Sequence, residues 1–126
     1  MTTHADLIDR YIAMWNETDP ARRRDLIARI WTEDCSHLDP LTRVERRDGI
    51  DGLVRGVQER FPGHRFRRTS EVDGHNGQVR FTWELAPAQG PAPVSGTDFG
   101  TLAEDGRRLR TITAFFDSDS AARPLG

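Results

Sequence analysis

The chain contains no lysine: all 18 of its basic side chains are arginine. Without an ε-amine there is no nucleophile for Schiff-base chemistry. A single cysteine, Cys35, excludes an internal disulfide and any multi-cysteine zinc site. It also points to a reducing, cytoplasmic setting. No apolar run approaches the length of a membrane span, and the N-terminus lacks the apolar core of a signal peptide, so no membrane partner is expected. The net charge is −2, with acids and bases interspersed. That balance lacks the basic stripe of a nucleic-acid binder. Arg22, Arg23 and Arg24 form the one basic run and read as a solvated helix face. The patterns GxGxxG, GxxxxGK[ST], HExxH and GxSxG are all missing, which removes the motif-based nucleotide, zincin and serine-hydrolase readings.

What is present is a change of period. At 126 residues the chain fits one domain spanning 1–126, with an ordered core at about 5–117 and a frayed tail. Thr3, with Asp6 three residues on, begins a helix whose Leu7, Ile8, Tyr11, Ile12 and Trp15 repeat at helical spacing. Asp19-Pro20 starts a second helix with an apolar stripe of Leu26, Ile27, Ile30 and Trp31. A short strand at 35–39 and a loop follow. Asp48 then caps a third helix, which turns Ile50, Leu53, Val54, Val57 and Phe61 inward and ends at Pro62-Gly63. From residue 64 the alternation has a period of two, and 64–72, 78–85, 93–102 and 107–116 read as four further strands. Three helices before a run of strands imply an α+β domain, with the helices on one side of a mainly antiparallel sheet.

Tyr11, Asp39 and Asp98 stand on faces that should be apolar. Tyr11 lies on the inward stripe of the first helix. His37 and Asp39 share a face of the first strand, and Asp98 shares one with Gly96 and Gly100. Each has an ordinary explanation. A tyrosine can bury its ring and keep its hydroxyl wet, an Asp-Pro pair opens turns, and an aspartate can accept hydrogen bonds in a glycine-rich bulge. A strand glycine also marks a place where something approaches closely, so two of them beside an inward carboxylate suggest room for a pocket. His64 is expected at the start of a strand on the side of Phe66, and a charged His37 beside Asp39 would lower that carboxyl's pKa. The spacing of His37, His64 and Asp39 does not suggest a metal site.

The segments "DRYIAMWNETDP", "IWTEDCSHLDPL", "RDGIDGLVRGVQERFPGHRF", "GTDFGTL" and "RRLRTITAFFD" together resemble the nuclear transport factor 2-like superfamily. The likeness is greatest to its SnoaL-like (polyketide cyclase-like) branch and the related ketosteroid isomerases. The resemblance implies a cone of three helices on a curved sheet, a pocket at one end and a homodimer formed through the outer sheet face. It also implies roles: Asp39 as the base that takes a proton from carbon beside a ketone, Tyr11 and a protonated Asp98 as donors to the developing enolate oxygen, and His37 as the group that tunes Asp39. Three features depart from the isomerases. Tyr11 is the only tyrosine, His37 is polar where those enzymes are apolar, and helix three presents Leu53, Val54 and Val57. Gly96 replaces the arginine that limonene-epoxide-hydrolase-like members carry.

The expected pocket walls are Trp15, Phe61, His64, Phe66, Phe81, Trp83, Ile112, Ala114 and Phe116. The expected ligand is a flat, mostly apolar molecule with one or two oxygens. The function implied is acid–base chemistry, of isomerase or cyclase type, on a cyclic or polyketide-like carbonyl compound without metal or organic cofactor. The rival is a module of the same fold that binds a ligand or a protein without turnover. Phe99 and Phe115 have the opposite parity to Asp98 and Phe116 and are expected on the outer, dimer-forming face.

Overall fold

The structure, a computed structural model, describes residues 3–117. The expected frayed tail lies outside them. Helix α1 (His4–Asn16) starts at a full capping box: Thr3 Oγ1 accepts from the Asp6 N–H at 3.0 Å, and Asp6 Oδ2 accepts from the Thr3 N–H at 3.1 Å. Helix α2 (Pro20–Ile30) has Asp19 as cap and proline in its first turn, where no N–H is needed. No helix among the described residues is long and apolar enough to cross a membrane.

Helix α3 (Arg46–Arg60) departs from the expectation at its start. It begins before Asp48, with Glu45 in the cap position and no side-chain cap bond. Asp48 lies inside the first turn and accepts only from its neighbour, the Gly49 N–H, at 3.0 Å. The chain swings into the helix through Arg46, a non-glycine residue at φ 66°.

Among the described residues the sheet has seven strands where the alternation suggested five. They are β1 (Trp31–Asp39), β2 (Thr42–Glu45), β3 (His64–Arg68), β4 (Asp73–His75), β5 (Gln78–Pro87), β6 (Val94–Leu102) and β7 (Leu109–Phe116), in the order β2-β1-β7-β6-β5-β3, with β4 also paired to β5. Trp31 opens β1 instead of closing the α2 stripe, so the first strand is nine residues long. The expected loop after Asp39 holds β2, whose inward side chains are too few to show a period. The expected strand 64–72 breaks after Arg68, and β4 forms a separate hairpin with β5. Its turn is Asn76-Gly77, at φ 49° and 72°, the left-handed pair that a tight hairpin requires.

Every pairing is antiparallel except β1 with β7. That parallel pair lets the chain, after leaving β1 for the far half of the sheet, return beside it. The helices lie over the inner face, α1 against β3 and α3 against β1 and β2, while α2 packs on both other helices.

Two polar devices lock this layer. Asn16 donates from Nδ2 to the Phe66 carbonyl at 2.9 Å and accepts from the Phe66 N–H at 2.8 Å, which fastens the end of α1 to edge strand β3. Arg23, expected on a solvated face, is only 3% exposed. Its guanidinium donates to Asp51 Oδ1 at 2.6 Å, the Glu17 carbonyl at 3.2 Å and Gln58 Oε1 at 3.3 Å. A buried arginine is tolerable because its charge is paired and its donors are used. The cluster ties α2 to α3 and to the end of α1.

Candidate active site

The inner face of β6 runs Val94, Gly96, Asp98, Gly100, Leu102, and all five are buried. Asp98, 3% exposed, faces Phe81 on β5 and Ala114 on β7. Both of its oxygens are held. The Tyr11 hydroxyl donates to Oδ2 at 3.1 Å, and the Trp83 indole N–H donates to Oδ1 at 2.7 Å. Burial pushes the carboxyl up to about 6, against the downward pull of a charged His37 and of the bonds from Trp83 and Tyr11. Burial also raises the Tyr11 hydroxyl well above its ordinary value, and the nearby Asp98 charge adds to the effect.

The two strand glycines do not open space beside Asp98. A methyl group at position 96 would collide with the Phe115 carbonyl oxygen and come within 2.9 Å of the Trp83 ring. One at position 100 would meet Ile112 and Val79, each at 3.0 Å. Gly96, paired with Trp83 across the strands, yields its side-chain volume to that indole, which is thereby able to reach Asp98. The indole was legible in the sequence as a wall and not as a hydrogen-bond donor. The signal was a large aromatic opposite a glycine, two residues from an inward carboxylate.

His37 is buried on β1 opposite Ile112. Its Nε2 lies 2.9 Å from Asp39 Oδ2, and Asp39 Oδ1 accepts from the Leu41 N–H at 2.8 Å. Asp39 therefore opens the turn and also holds the imidazole. Burial acts to raise its carboxyl, but the bonds from His37 and Leu41 outweigh burial and leave it below the usual range. Nδ1 of His37 is buried without a partner.

The register sets these groups in a row. Leu38 pairs with Thr113 on β7, so Asp39 stands one step further along, level with Ala114, which pairs with Asp98. Two inter-strand spacings place the Asp39 and Asp98 backbones about 10 Å apart. Ala114 on β7 stands between them.

Over this row lies a cavity of about 510 Å³, within the range that holds a small organic ligand. Tyr11, His37, Asp39 and Asp98 all border it, together with Trp15, Phe61, Phe66, Trp83, Ala114 and Phe116 from the expected walls. Three expected wall residues do not. Phe81 and Ile112 are each 1% exposed and lie in the core beneath, Phe81 against the Tyr11 ring and Ile112 against Gly100. His64 sits at the start of β3 outside the cavity, edge-on to Phe61, with Nδ1 3.0 Å from the Pro62 carbonyl. The walls that sequence reasoning missed come largely from α3, where Gly49, Gly52, Gly56 and Arg60 face the cavity, and from Leu41 and Val44 around the β2 hairpin. Leu53 and Val57 line it as well, whereas Val54 is fully buried in the core. Among the described residues no three His, Cys, Asp or Glu side chains converge as metal ligands would.

Set against known proteins, residues 8–111 match the profile of the SnoaL-like domain. An Agrobacterium tumefaciens protein described as a "putative isomerase of the SnoaL-like family" is 36% identical, over 94% of this chain and 100% of that one, with a TM-score of 0.86. At 14% identity, a Catenulispora acidiphila protein with a ketosteroid-isomerase-like fold aligns over 97% of this chain and 96% of its own, with a TM-score of 0.73. A nuclear transport factor 2-like protein of Cytophaga hutchinsonii, 13% identical, aligns over 93% and 92% with a TM-score of 0.65. No curated protein matches the sequence. A domain match over most of the chain, and a solved relative aligned end to end, agree with the three helices on a mainly antiparallel sheet: this chain belongs to the SnoaL-like family.

Proposed function

We propose that the cavity takes an apolar, oxygen-bearing small molecule and that the row beneath it moves a proton on that molecule, with His37 as base and Asp98 as acid. The observation that carries the reading is His37, an imidazole that borders the cavity and whose buried Nδ1 has no partner among the described residues. In the neutral imidazole, the nitrogen that donates to the ionised Asp39 is Nε2, so Nδ1 is the one that holds the free lone pair. Asp39 itself has both oxygens engaged and a lowered pKa. These bonds favour an orienting role for Asp39 over the base role that the family resemblance implies. Likewise the Tyr11 hydroxyl already donates to Asp98, so it supports that carboxyl.

The reaction that fits is enolisation of a carbonyl compound. Nδ1 takes the proton from carbon next to the carbonyl, and protonated Asp98 gives its proton to the carbonyl oxygen. Return of the His37 proton to a different carbon, with the enol O–H proton going back to Asp98, completes an isomerisation. Attack by the enol carbon on a second carbonyl of the same molecule, whose oxygen takes the proton from His37 while the enol proton returns to Asp98, completes an aldol-type cyclisation. Two carboxyls whose surroundings drive their pKa values apart suit a division of labour of this kind. The description carried by the Agrobacterium relative agrees with an isomerase. The lone buried Cys35 fits a cytoplasmic protein. A second reading, a binding module without turnover, is favoured by the way Tyr11, Trp83 and Asp98 satisfy one another without a ligand.

We also propose that a second copy covers the outer sheet face. Leu38, Phe99 and Phe115 are 44%, 44% and 58% exposed there. The strand neighbours between them include Thr97 and Thr113, which are uncharged. Light scattering at micromolar concentration should give twice the monomer mass, and Phe99→Glu with Phe115→Glu should halve it. A wild-type monomer would rule the dimer out.

Turnover can be sought without knowing the substrate, as deuterium exchange at the α-carbon of cyclic ketones followed by NMR. His37→Gln should slow exchange by ~10²-fold or more, the scale of a lost general base. Asp39→Asn should slow it similarly while leaving KM within about threefold, because an amide imposes the wrong tautomer on the imidazole. If His37→Gln exchanges at the wild-type rate, Asp39 or no residue is the base. If the wild type exchanges none of the ketones while binding them, the binding module is the better reading.

Asp98 also makes stability depend on pH. Its folded pKa of about 6 lies above the unfolded value, so folding favours the protonated form. The stabilisation is fully present below about pH 4 and is lost as pH rises through 6, by up to roughly 3 kcal/mol. Asp39, shifted the other way, loses its contribution only at lower pH. Urea melts at pH 4.5 and pH 8 should therefore show a fall in stability that Asp98→Asn largely removes. A variant destabilised equally at both pH values would mean that Asp98 is an ionised structural acceptor.

A further inference from the structure

Helix α3 carries glycine at 49, 52 and 56, three positions that fall within one narrow face of a helix. Glycine is the poorest helix former after proline, because it gives up the most backbone freedom and brings no side chain to pack. Gly49 has a packing reason: a methyl group there would press on Val44 Cβ at 3.3 Å, where β2 and α3 approach. Gly52 and Gly56 have none. A methyl group at either would meet nothing within 4 Å. Both border the cavity, Gly52 half-buried and Gly56 exposed. Neither has a positive φ that would demand glycine.

The same cavity is lined by a chain of aromatic rings. Trp15 and Phe66 have centroids 4.8 Å apart, and Phe66 and Trp83 are 5.5 Å apart. A second observation concerns the same cavity: His37, 3% exposed, borders it, and its Nδ1 has no partner among the described residues.

We propose that Gly52 and Gly56 are specificity-determining residues. They keep the α3 wall bare so that a ring system wider than one ring lies flat against helix backbone on one side and against the Trp15–Phe66–Trp83 rings on the other. The proposal rests on the reading that the cavity takes a small apolar molecule, and it adds which residues set the width of that molecule. It also explains why the helix keeps two glycines that packing does not require.

The test compares two probes, 2-naphthol with two fused rings and phenol with one, titrated into the full-length protein and followed by tryptophan fluorescence. Wild type should bind 2-naphthol at least tenfold more tightly than phenol. The Gly52→Ala, Gly56→Ala double variant should melt at a higher temperature, since alanine favours the helix and has room. Its affinity for 2-naphthol should nevertheless fall at least fivefold while that for phenol stays within twofold. Gly56→Leu should weaken 2-naphthol further. An unchanged 2-naphthol affinity in the double variant would overturn the proposal. So would an equal loss for both probes, or a lower melting temperature, which would give the glycines a structural role. If wild type binds phenol but favours it over 2-naphthol, the width claim fails and the binding cavity stands. If it binds neither, both fail together.

Discussion

The structure turns on one carboxyl group placed where water does not reach it. Asp98 is held by a hydroxyl from α1 and an indole from β5, so α1 must meet the β5–β6 pair, far from it in sequence, within hydrogen-bond distance. Burying a charge is expensive, and two neutral donors offset only part of the cost. The remainder appears as a raised pKa. Much of the surrounding packing serves this contact. Gly96 gives the indole its place, Phe81 lies beneath the Tyr11 ring, and the Asn16 bonds to β3 fix the end of the helix that carries Tyr11.

The second organising feature is the single parallel pairing. Because β1 joins the sheet beside β7, His37 and Asp39 arrive on the same inner face as Asp98, separated from it by one strand that presents Ala114. Two aspartates in one cavity thus meet different surroundings. Asp39 lies in a turn with a backbone donor and an imidazole, and its charge is favoured. Asp98 has only neutral donors in direct contact, and its proton is favoured. The chemical identity is the same, and the environment divides the roles.

Much of this was legible in the sequence. The helix starts at Thr3 and Asp19, the inward parity of Tyr11, His37 and Asp98, and the outward parity of Phe99 and Phe115 all follow from caps and periods that are local. The third helix was misplaced at its start because Asp48 is a good capping residue in composition, whereas the actual entry uses a strained backbone at Arg46 that no residue type announces. Strand β2 escaped notice because Arg43 and Glu45 point outward and the inner face holds only Thr42 and Val44, of which Val44 alone is apolar. Within the site, period two assigned Phe81 and Ile112 to the inner face correctly. It does not distinguish the part of that face under helices from the part under a cavity. The buried Arg23 depends on contacts across the fold that composition does not show, and the Trp83–Asp98 bond depends on the β5–β6 register that sets Trp83 opposite Gly96. The Gly52 and Gly56 stripe was visible as glycine in a helix, but its meaning depends on the empty space beside it.

The account rests on Asp98 and Asp39 being oppositely shifted carboxyls in one cavity, and the direct measurement is a side-chain NMR titration of the aspartate Cγ resonances in the folded protein. Asp98, identified by its absence from the Asp98→Asn spectrum, should titrate near pH 6, and Asp39 below the usual carboxylate range. Asp98 titrating with the surface aspartates, or Asp39 titrating above it, would contradict the assignment of acid and orienting residue.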